Sequence, residues 1–174
     1  MQLVLPIMRE ARGGVIVNVS SIAGRVLLGG IISSAYGGSK FALEAASEIL
    51  AQEVCRFNIR VAIIEPGVIK TPIFDKGEAD PHGDESPYHP LNLRGERLFS
   101  SRLQNPSLPE LVAEVIQQAI EAERPKLRYL VGPDAEAMAA GRRKLTDEAL
   151  VESGQDMSLD AYAAFCKMHF GVEI

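Results

Sequence analysis

A tyrosine and a lysine four residues apart are the side chains whose types and spacing could do chemistry in this chain. The segment Tyr36-Gly37-Gly38-Ser39-Lys40 opens an alanine-rich stretch that is predicted to be helical. Residues four apart share a helix face, so the phenol and the ammonium are expected to point into the same space. A phenol in water releases its proton only near pH ~10, and an adjacent ammonium favours the phenolate. The spacing predicts a proton-transfer pair. Taken alone, however, such a spacing more commonly reflects a surface tyrosine beside a solvated lysine.

Three short apolar runs are predicted to be strands of one parallel sheet. They cover residues 15–19, 60–64 and 127–131, with a glycine or proline close to each. Branched apolar runs of this kind are typical of strands buried on both faces. A helix predicted over residues 36–57 supplies the crossover that parallel neighbours require. Ser20 and Ser21 follow the first run, at the carboxyl edge where open α/β sheets bind their ligands.

Helical patterns account for most of the remaining chain. The N-terminal residues are interpreted as the end of a helix that stops at Gly13-Gly14. Ser107-Leu108-Pro109-Glu110 predicts a capping box, with an amphipathic helix after it. Residues 135–144 and 159–170 are predicted to be helices of a C-terminal tail, residues 133–174. Strands that alternate with helices predict an α/β parallel sheet, or part of one.

Residues 68–106 differ in composition from the rest of the chain. Five prolines, several glycines and many charges make long regular elements unexpected there. Such a segment is either a lid over a binding site or a mobile surface insertion. Its apolar side chains favour a lid over a hydrophobic ligand: Ile73, Phe74, Tyr88, Leu91, Leu93, Leu98 and Phe99.

Composition narrows the class of protein further. A chain of 174 residues with 47% hydrophobic and 24% charged residues fits one globular domain. A net charge of −5 argues against nucleic-acid binding. Cys55 and Cys166 form neither a disulfide framework nor a metal-ligand spacing, which suits a reducing cytosol, and no metal is expected. No run reaches the ~18 apolar residues of a membrane span, and a cytoplasmic location is expected.

Three motifs together resemble the short-chain dehydrogenase/reductase family. They begin at Gly14 (GVIVNVSS), at Tyr36 (YGGSKFALE) and at Glu65 (EPGVIKT), in the order that the family shows. The resemblance covers about residues 1–132. It implies a Rossmann-like, doubly wound parallel sheet and transfer of a hydride between NAD or NADP and an alcohol or carbonyl carbon.

The resemblance also implies roles for individual residues. Tyr36 would be the catalytic acid or base at the substrate oxygen, and Lys40 would favour its phenolate and bind the nicotinamide ribose. Ser21 would hold and polarise the substrate oxygen. The loop that follows the second strand would lie beside the nicotinamide. Its expected cofactor-binding residues are Pro66, Gly67, Ile69 and Thr71.

Two departures from the family pattern stand out. The spacing from Ser21 to Tyr36 is 15 residues instead of about 13, which an insertion around Gly29-Gly30 could absorb. No Gly-x-Gly occurs among the 15 glycines, so the glycine-rich dinucleotide turn of the family is missing. We therefore expect the chain to correspond to the C-terminal part of such an enzyme, about three strands with crossover helices, with Met1 inside a helix. NAD and NADP cannot be told apart without the absent half.

Two functions from different classes remain open at this point. One is a dehydrogenase/reductase that acts on a hydrophobic alcohol or ketone, and the other is a truncated, non-catalytic interaction or binding module. Small and apolar residues on the 36–57 helix also predict a homodimer or tetramer through that helix. The predicted stripe contains Ala42, Ala45, Ala46, Ile49 and Leu50, widened by Leu43 and Val54.

Overall fold

The computed structural model describes residues 2–26, 28, 33–73 and 83–174, and its centre is a three-stranded parallel sheet. The strands are β1 (Gly14–Val19), β2 (Ile59–Pro66) and β3 (Arg128–Val131), in the order β1-β2-β3. Val19 pairs with Ile64, and Pro66 with Val131. The carboxyl ends of all three strands therefore meet at one edge, and the predicted α/β fold class is confirmed. The calls on Met1, on Gly29-Gly30 and on Phe74 lie outside the described residues.

Helices surround this sheet and connect its strands. In the described part of the chain they are α1 (Leu5–Ala11), α2 (Ser33–Val54), α3 (His89–Leu103), α4 (Pro109–Glu121), α5 (Pro133–Arg142), α6 (Asp147–Glu152) and α7 (Leu159–Phe170). Short 3-10 turns cover Ile22–Gly24, Cys55–Phe57 and Gly83–Glu85. None of the helices in the described ranges is long and apolar enough to cross a membrane.

The two faces of the sheet are covered by different helices. On β2, Ile59 and Val61 pack in one cluster with Leu50 and Val54 of α2. Ala62 and Ile64 pack on the other face with residues of α4. This division follows from the two-residue period of a strand, which sends successive side chains to opposite faces. The central strand is buried on both sides, as the apolar run within it predicted.

The buried face of α2 differs from the predicted stripe. Ala42, Ala45, Ala46 and Ile49 are exposed, whereas Leu50 and Val54 pack on the sheet. The buried face also carries Glu44 and Ser47, which a hydrophobic pattern counts as solvent-facing. Both are held by polar partners on the sheet: Arg128 binds Glu44, and Asn18 Nδ2 donates to Ser47 Oγ at 2.8 Å. The buried face of α2 is therefore shifted by about one residue position from the face that the apolar pattern predicted.

Two local predictions in the 68–106 segment and beside it were wrong. Residues 89–103 form the helix α3 despite the surrounding prolines, because Pro90 lies in its first turn, where a missing N–H costs nothing. The capping box at Ser107 is also absent. The N-cap of α4 is Leu108, and its side chain makes no capping hydrogen bond. The backbone of Ser107 instead pairs with the loop after β2.

The C-terminal helices share one core with α3 and with the segment after β1. Leu98 of α3, Met138 of α5 and Tyr162 of α7 are buried in it together with Ile22 and Val26. Gly141 permits the closest approach, since a β-carbon there would overlap the Phe170 ring and the His169 carbonyl oxygen. The tail therefore forms a wall beside the carboxyl edge of the sheet.

Candidate active site

Tyr36 and Lys40 lie one turn apart in the first half of α2. The Lys40 ammonium is 5.8 Å from the centroid of the Tyr36 ring. The tyrosine residue is 49% exposed. Lys40 Nζ also donates to the carbonyl oxygen of Val19 at 3.4 Å, at the end of β1. The two side chains therefore lie near each other at the carboxyl edge of the sheet.

The segment after β1 lies directly on the same helix. A β-carbon at Gly24 would be 3.2 Å from the Lys40 carbonyl oxygen and 2.8 Å from Glu44 Cγ. Only glycine allows this approach, which brings the turn begun by Ser21 against α2. Ser21 Oγ accepts a hydrogen bond from the Ala23 backbone N–H at 3.1 Å. A serine hydroxyl that accepts one bond keeps its own hydrogen for donation to another group.

The loop after β2 is held from two sides. Asp134 Oδ2, in the first turn of α5, accepts from the Val68 N–H at 2.8 Å. Gly67 N–H donates to the Val131 carbonyl at 3.0 Å, which extends the pairing of β2 with β3. A β-carbon at Gly67 would overlap the Asp134 carboxylate. The glycine is therefore required for this close approach, and the loop takes its shape from α5 and β3.

Ile69 forms a short parallel bridge with Ser107. The Ser107 N–H donates to the Val68 carbonyl at 3.1 Å, and the Lys70 N–H donates to the Ser107 carbonyl at 2.9 Å. In such a bridge the N–H and C=O of the central residue point to the side away from the partner. The backbone polar groups of Ile69 therefore face away from Ser107. Ile69 and Thr71 are both half-buried.

A network of charged side chains lies beneath the site, between α2 and the sheet. Glu65 is fully buried, and its Oε2 is 3.2 Å from Arg25 Nη1. Arg128 Nε is 3.0 Å from Glu44 Oε2 and 3.3 Å from Glu65 Oε1. Arg128 Nη2 is 2.5 Å from Glu48 Oε2. Three carboxyl groups and two guanidinium groups thus tie together the helix, the two neighbouring strands and the segment after β1.

The pKa values of Glu65 and Arg128 are perturbed. Burial raises the pKa of Glu65 to about 7, and the negative charge of Glu44 adds to this increase. Arg25 acts in the opposite direction but does not compensate. The pKa of Arg128 is raised: burial lowers it, but its hydrogen bonds to Glu48 and Glu44 act against burial and prevail.

Known proteins resemble this chain in sequence and in fold. The sequence profile described as short chain dehydrogenase matches residues 1–82. The chain is 35% identical to an oxidoreductase of Botryotinia fuckeliana over 156 residues, which cover 90% of this chain and 56% of that one. The crystal structure of a short-chain dehydrogenase from Streptomyces avermitilis is 36% identical, with a TM-score of 0.62 over 90% of this chain and 57% of that chain. The chain belongs to the short-chain dehydrogenase/reductase family.

Another relative within the short-chain dehydrogenase/reductase group carries a more specific name. The 3-ketodihydrosphingosine reductase of Bacteroides thetaiotaomicron is 34% identical over 138 residues, which are 79% of this chain and 51% of that protein. The chain spans about half the length of the curated relatives it matches.

The residues predicted for a short-chain dehydrogenase/reductase site gather along one edge of the sheet. Ser21 follows β1, and Tyr36 and Lys40 lie on the helix against it. Pro66 is the last residue of β2, and the loop from Gly67 to Thr71 follows it. Their roles in binding and catalysis stay predictions.

Sequence reasoning missed two residues that shape this edge, Asp134 and Ser107. Asp134 follows Gly132-Pro133, the signal of a strand-to-helix turn, and an acidic residue in a first helical turn is an available acceptor. Nothing local in the sequence indicated that its acceptor would serve Val68, 66 residues away in the chain.

Proposed function

We propose that this chain carries the catalytic groups of an NAD- or NADP-dependent oxidoreductase that acts on a hydrophobic alcohol or ketone. The observation that supports this most is the half-exposed Tyr36 phenol beside the Lys40 ammonium, at the carboxyl edge of a parallel sheet. The edge is where ligands bind in sheets of this type. The pair combines a hydroxyl for proton exchange with a fixed cation that stabilises its ionised form.

The donors and acceptors along this edge fit a nicotinamide nucleotide. Lys40 offers N–H donors and Tyr36 a hydroxyl, which together complement the hydroxyls of a ribose. The N–H and C=O of Ile69, turned away from Ser107, complement a carboxamide, and the Thr71 hydroxyl is two residues further on. Pro66 and Gly67 carry the loop to this position. When bound, a nicotinamide would donate or accept the hydride.

The protein side chains would handle the proton and the substrate oxygen. Tyr36 would give its hydroxyl proton to that oxygen during reduction and take a proton from it during oxidation. Lys40 would stabilise the phenolate left on Tyr36. Ser21, whose hydroxyl hydrogen is not used in its bond to Ala23, would donate to the same oxygen. Such acid or base groups usually contribute ~10²–10⁴-fold to a rate.

A hydrophobic substrate is supported by the surroundings of this edge. A core of buried apolar side chains lies beside this edge; it includes Ile22, Val26 and Leu98 and extends over α3, α5 and α7. A relative named as a reductase of 3-ketodihydrosphingosine, a long-chain ketone, matches 79% of this chain. We therefore favour a ketone or alcohol that carries a long apolar group.

The test is turnover of nicotinamide by wild type and by Tyr36→Phe. The protein is expressed with all the in-frame coding sequence that flanks these residues, which we call the complete reading frame. Oxidation of NADH and of NADPH is followed by absorbance, with aliphatic ketones of increasing chain length. We expect wild-type turnover that improves with chain length, and a loss of at least ~100-fold in kcat for Tyr36→Phe.

Tyr129→Phe is the matched control. It also removes only a hydroxyl. Tyr129 lies on β3, and its hydroxyl accepts a hydrogen bond from the Lys126 backbone N–H. We expect its kcat to equal that of wild type. More than about a tenth of the wild-type kcat in Tyr36→Phe would contradict the acid/base role. Absence of turnover in the wild type with every ketone tested would favour the non-catalytic alternative.

A further inference from the structure

Two buried carboxyl oxygens in the charged network have no hydrogen-bond partner. Within the part of the chain that the structure describes, Glu44 Oε1 and Glu65 Oε1 are inaccessible to solvent and unpaired. Arg128 Nε carries a single hydrogen, which it donates to Glu44 Oε2. Glu65 Oε1 is 3.3 Å from the same nitrogen, so it interacts with the positive charge of Arg128 but accepts no hydrogen bond from it. Leaving two buried acceptors unsatisfied is costly, and more so when the group is charged.

The two carboxyl groups lie against the same guanidinium nitrogen. Glu44 Oε2 and Glu65 Oε1 both lie within 3.3 Å of Arg128 Nε, and the two side chains are within hydrogen-bonding reach. Two carboxylates cannot bond to each other, because neither has a hydrogen. One added proton turns either group into a donor and the other into its acceptor.

The balance of charges in the network also favours one added proton on the carboxyl pair. Glu44, Glu48 and Glu65 would carry three negative charges if all were ionised, against two positive charges on Arg25 and Arg128. Glu48 is half-exposed, so water screens it. Glu65 is fully buried and Glu44 nearly so, and an uncompensated charge there is expensive. A single proton on the pair equalises the charges.

We propose that Glu44 and Glu65 share one proton, and that this carboxyl pair positions the segments that carry the candidate site. Glu44 lies one turn after Lys40 on α2, and Glu65 precedes Pro66 and the loop after β2. Through Arg25 the pair also holds the segment that follows Ser21. The catalytic consequence rests on the proposed function, whereas the shared proton does not.

The groups that face Glu65 determine its response to pH. They are Glu44 and Glu48 from α2, Arg128 from β3 and Arg25 from the segment after β1, with Lys40 nearby but bound to the Val19 carbonyl. Burial and the charge of Glu44 raise the pKa of Glu65 from 4.5 to about 7. The folded state therefore holds the proton more tightly than the unfolded chain. The stabilisation is complete below pH ~4.5 and is lost as the pH rises to ~7.

The experiment measures unfolding by urea between pH 5.5 and 8 in the complete reading frame. Over pH 5.5 to 7, this one proton increases the wild-type unfolding constant roughly 15-fold. Glu65→Gln replaces the protonated acid by an amide that donates and accepts without titrating. We expect this variant to lack that increase and to be more stable than wild type at pH 8. Glu44→Gln supplies the same hydrogen bond with the amide at position 44 instead. This variant should also lack the increase and be more stable than wild type at pH 8.

Glu48→Gln is the control within the same network. It removes a carboxylate that bonds to Arg128 but is half-exposed and outside the pair, so its profile should keep the wild-type pH dependence. Parallel profiles for wild type, Glu65→Gln and Glu44→Gln would overturn the proposal. The same flattening in Glu48→Gln would overturn it too, because a general loss of negative charge would then explain the effect.

Infrared spectroscopy gives a readout that does not depend on unfolding or on activity. Exposed carboxyl groups are ionised at pH 6, so a protonated-carboxyl band at that pH reports the shared proton. We expect the band in wild type and Glu48→Gln, its loss by pH 8, and its absence in the Glu65→Gln variant. No such band in wild type at pH 6 would overturn the proposal. An enzyme without turnover that still shows the band would refute the proposed function alone.

Discussion

Replacing Gly67 by alanine should disrupt the loop that follows β2 through a single defined contact. The added β-carbon would overlap the Asp134 carboxylate, which is anchored at the start of α5. The aspartate must then move away, and its hydrogen bond from the Val68 N–H at 2.8 Å is lost. The backbone at Gly67 does not require a left-handed conformation, so the expected effect is purely steric.

The magnitude follows from the bond that is lost. A hydrogen bond to a charged acceptor contributes ~1.5–3 kcal/mol to stability. Alanine also lowers the conformational entropy of the unfolded chain, which stabilises the folded state by ~0.4–1 kcal/mol. The net loss in the free energy of unfolding should therefore be about 1–2 kcal/mol. In Asp134→Ala the clash and the bond are both gone, so Gly67→Ala added to that variant should cost less than ~0.5 kcal/mol more.

Urea unfolding of the complete reading frame measures all three variants. Gly38→Ala is the control, because Gly38 lies in α2 with nothing within 4 Å of its would-be β-carbon. It should stabilise the protein by up to ~1 kcal/mol through helix propensity. Wild-type stability in Gly67→Ala would refute the reasoning. Fully additive losses in the double variant would refute it as well, because the two residues would then not be in contact.

Three further predictions concern the network, the assembly and the cofactor. Arg128→Met should destabilise the fold by ~3–5 kcal/mol in urea unfolding, since it leaves the buried Glu44 without its guanidinium partner; exposed Arg143→Met should cost less than ~0.5 kcal/mol. Light scattering should give a dimeric or tetrameric mass for the complete reading frame, reduced by Ile49→Glu on the exposed face of α2; a monomeric wild type would contradict helix pairing. These 174 residues alone should bind NAD or NADP weakly, because they contain no Gly-x-Gly turn; micromolar affinity by calorimetry would contradict this.

Some properties of this protein follow from short stretches of its sequence. Residues 61–64 are a continuous apolar run, which is typical of a strand between two layers, and all four are buried. The helix Leu159–Phe170 was predicted over the same residues, because the serine before it and the left-handed glycine after it are local signals. The Tyr36–Lys40 pairing follows from the helical repeat alone. In each case the determining interactions lie within a few residues.

Other properties were decided by contacts between distant segments. The buried face of α2 includes Glu44 and Ser47 only because Arg128 and Asn18 reach them from the sheet. Ser107 pairs with the loop after β2 instead of capping α4. The high pKa of Glu65 requires its burial beside Glu44, 21 positions earlier in the chain. A charged residue is assigned to the surface by its type, and only the folded structure supplies the partner that makes its burial tolerable.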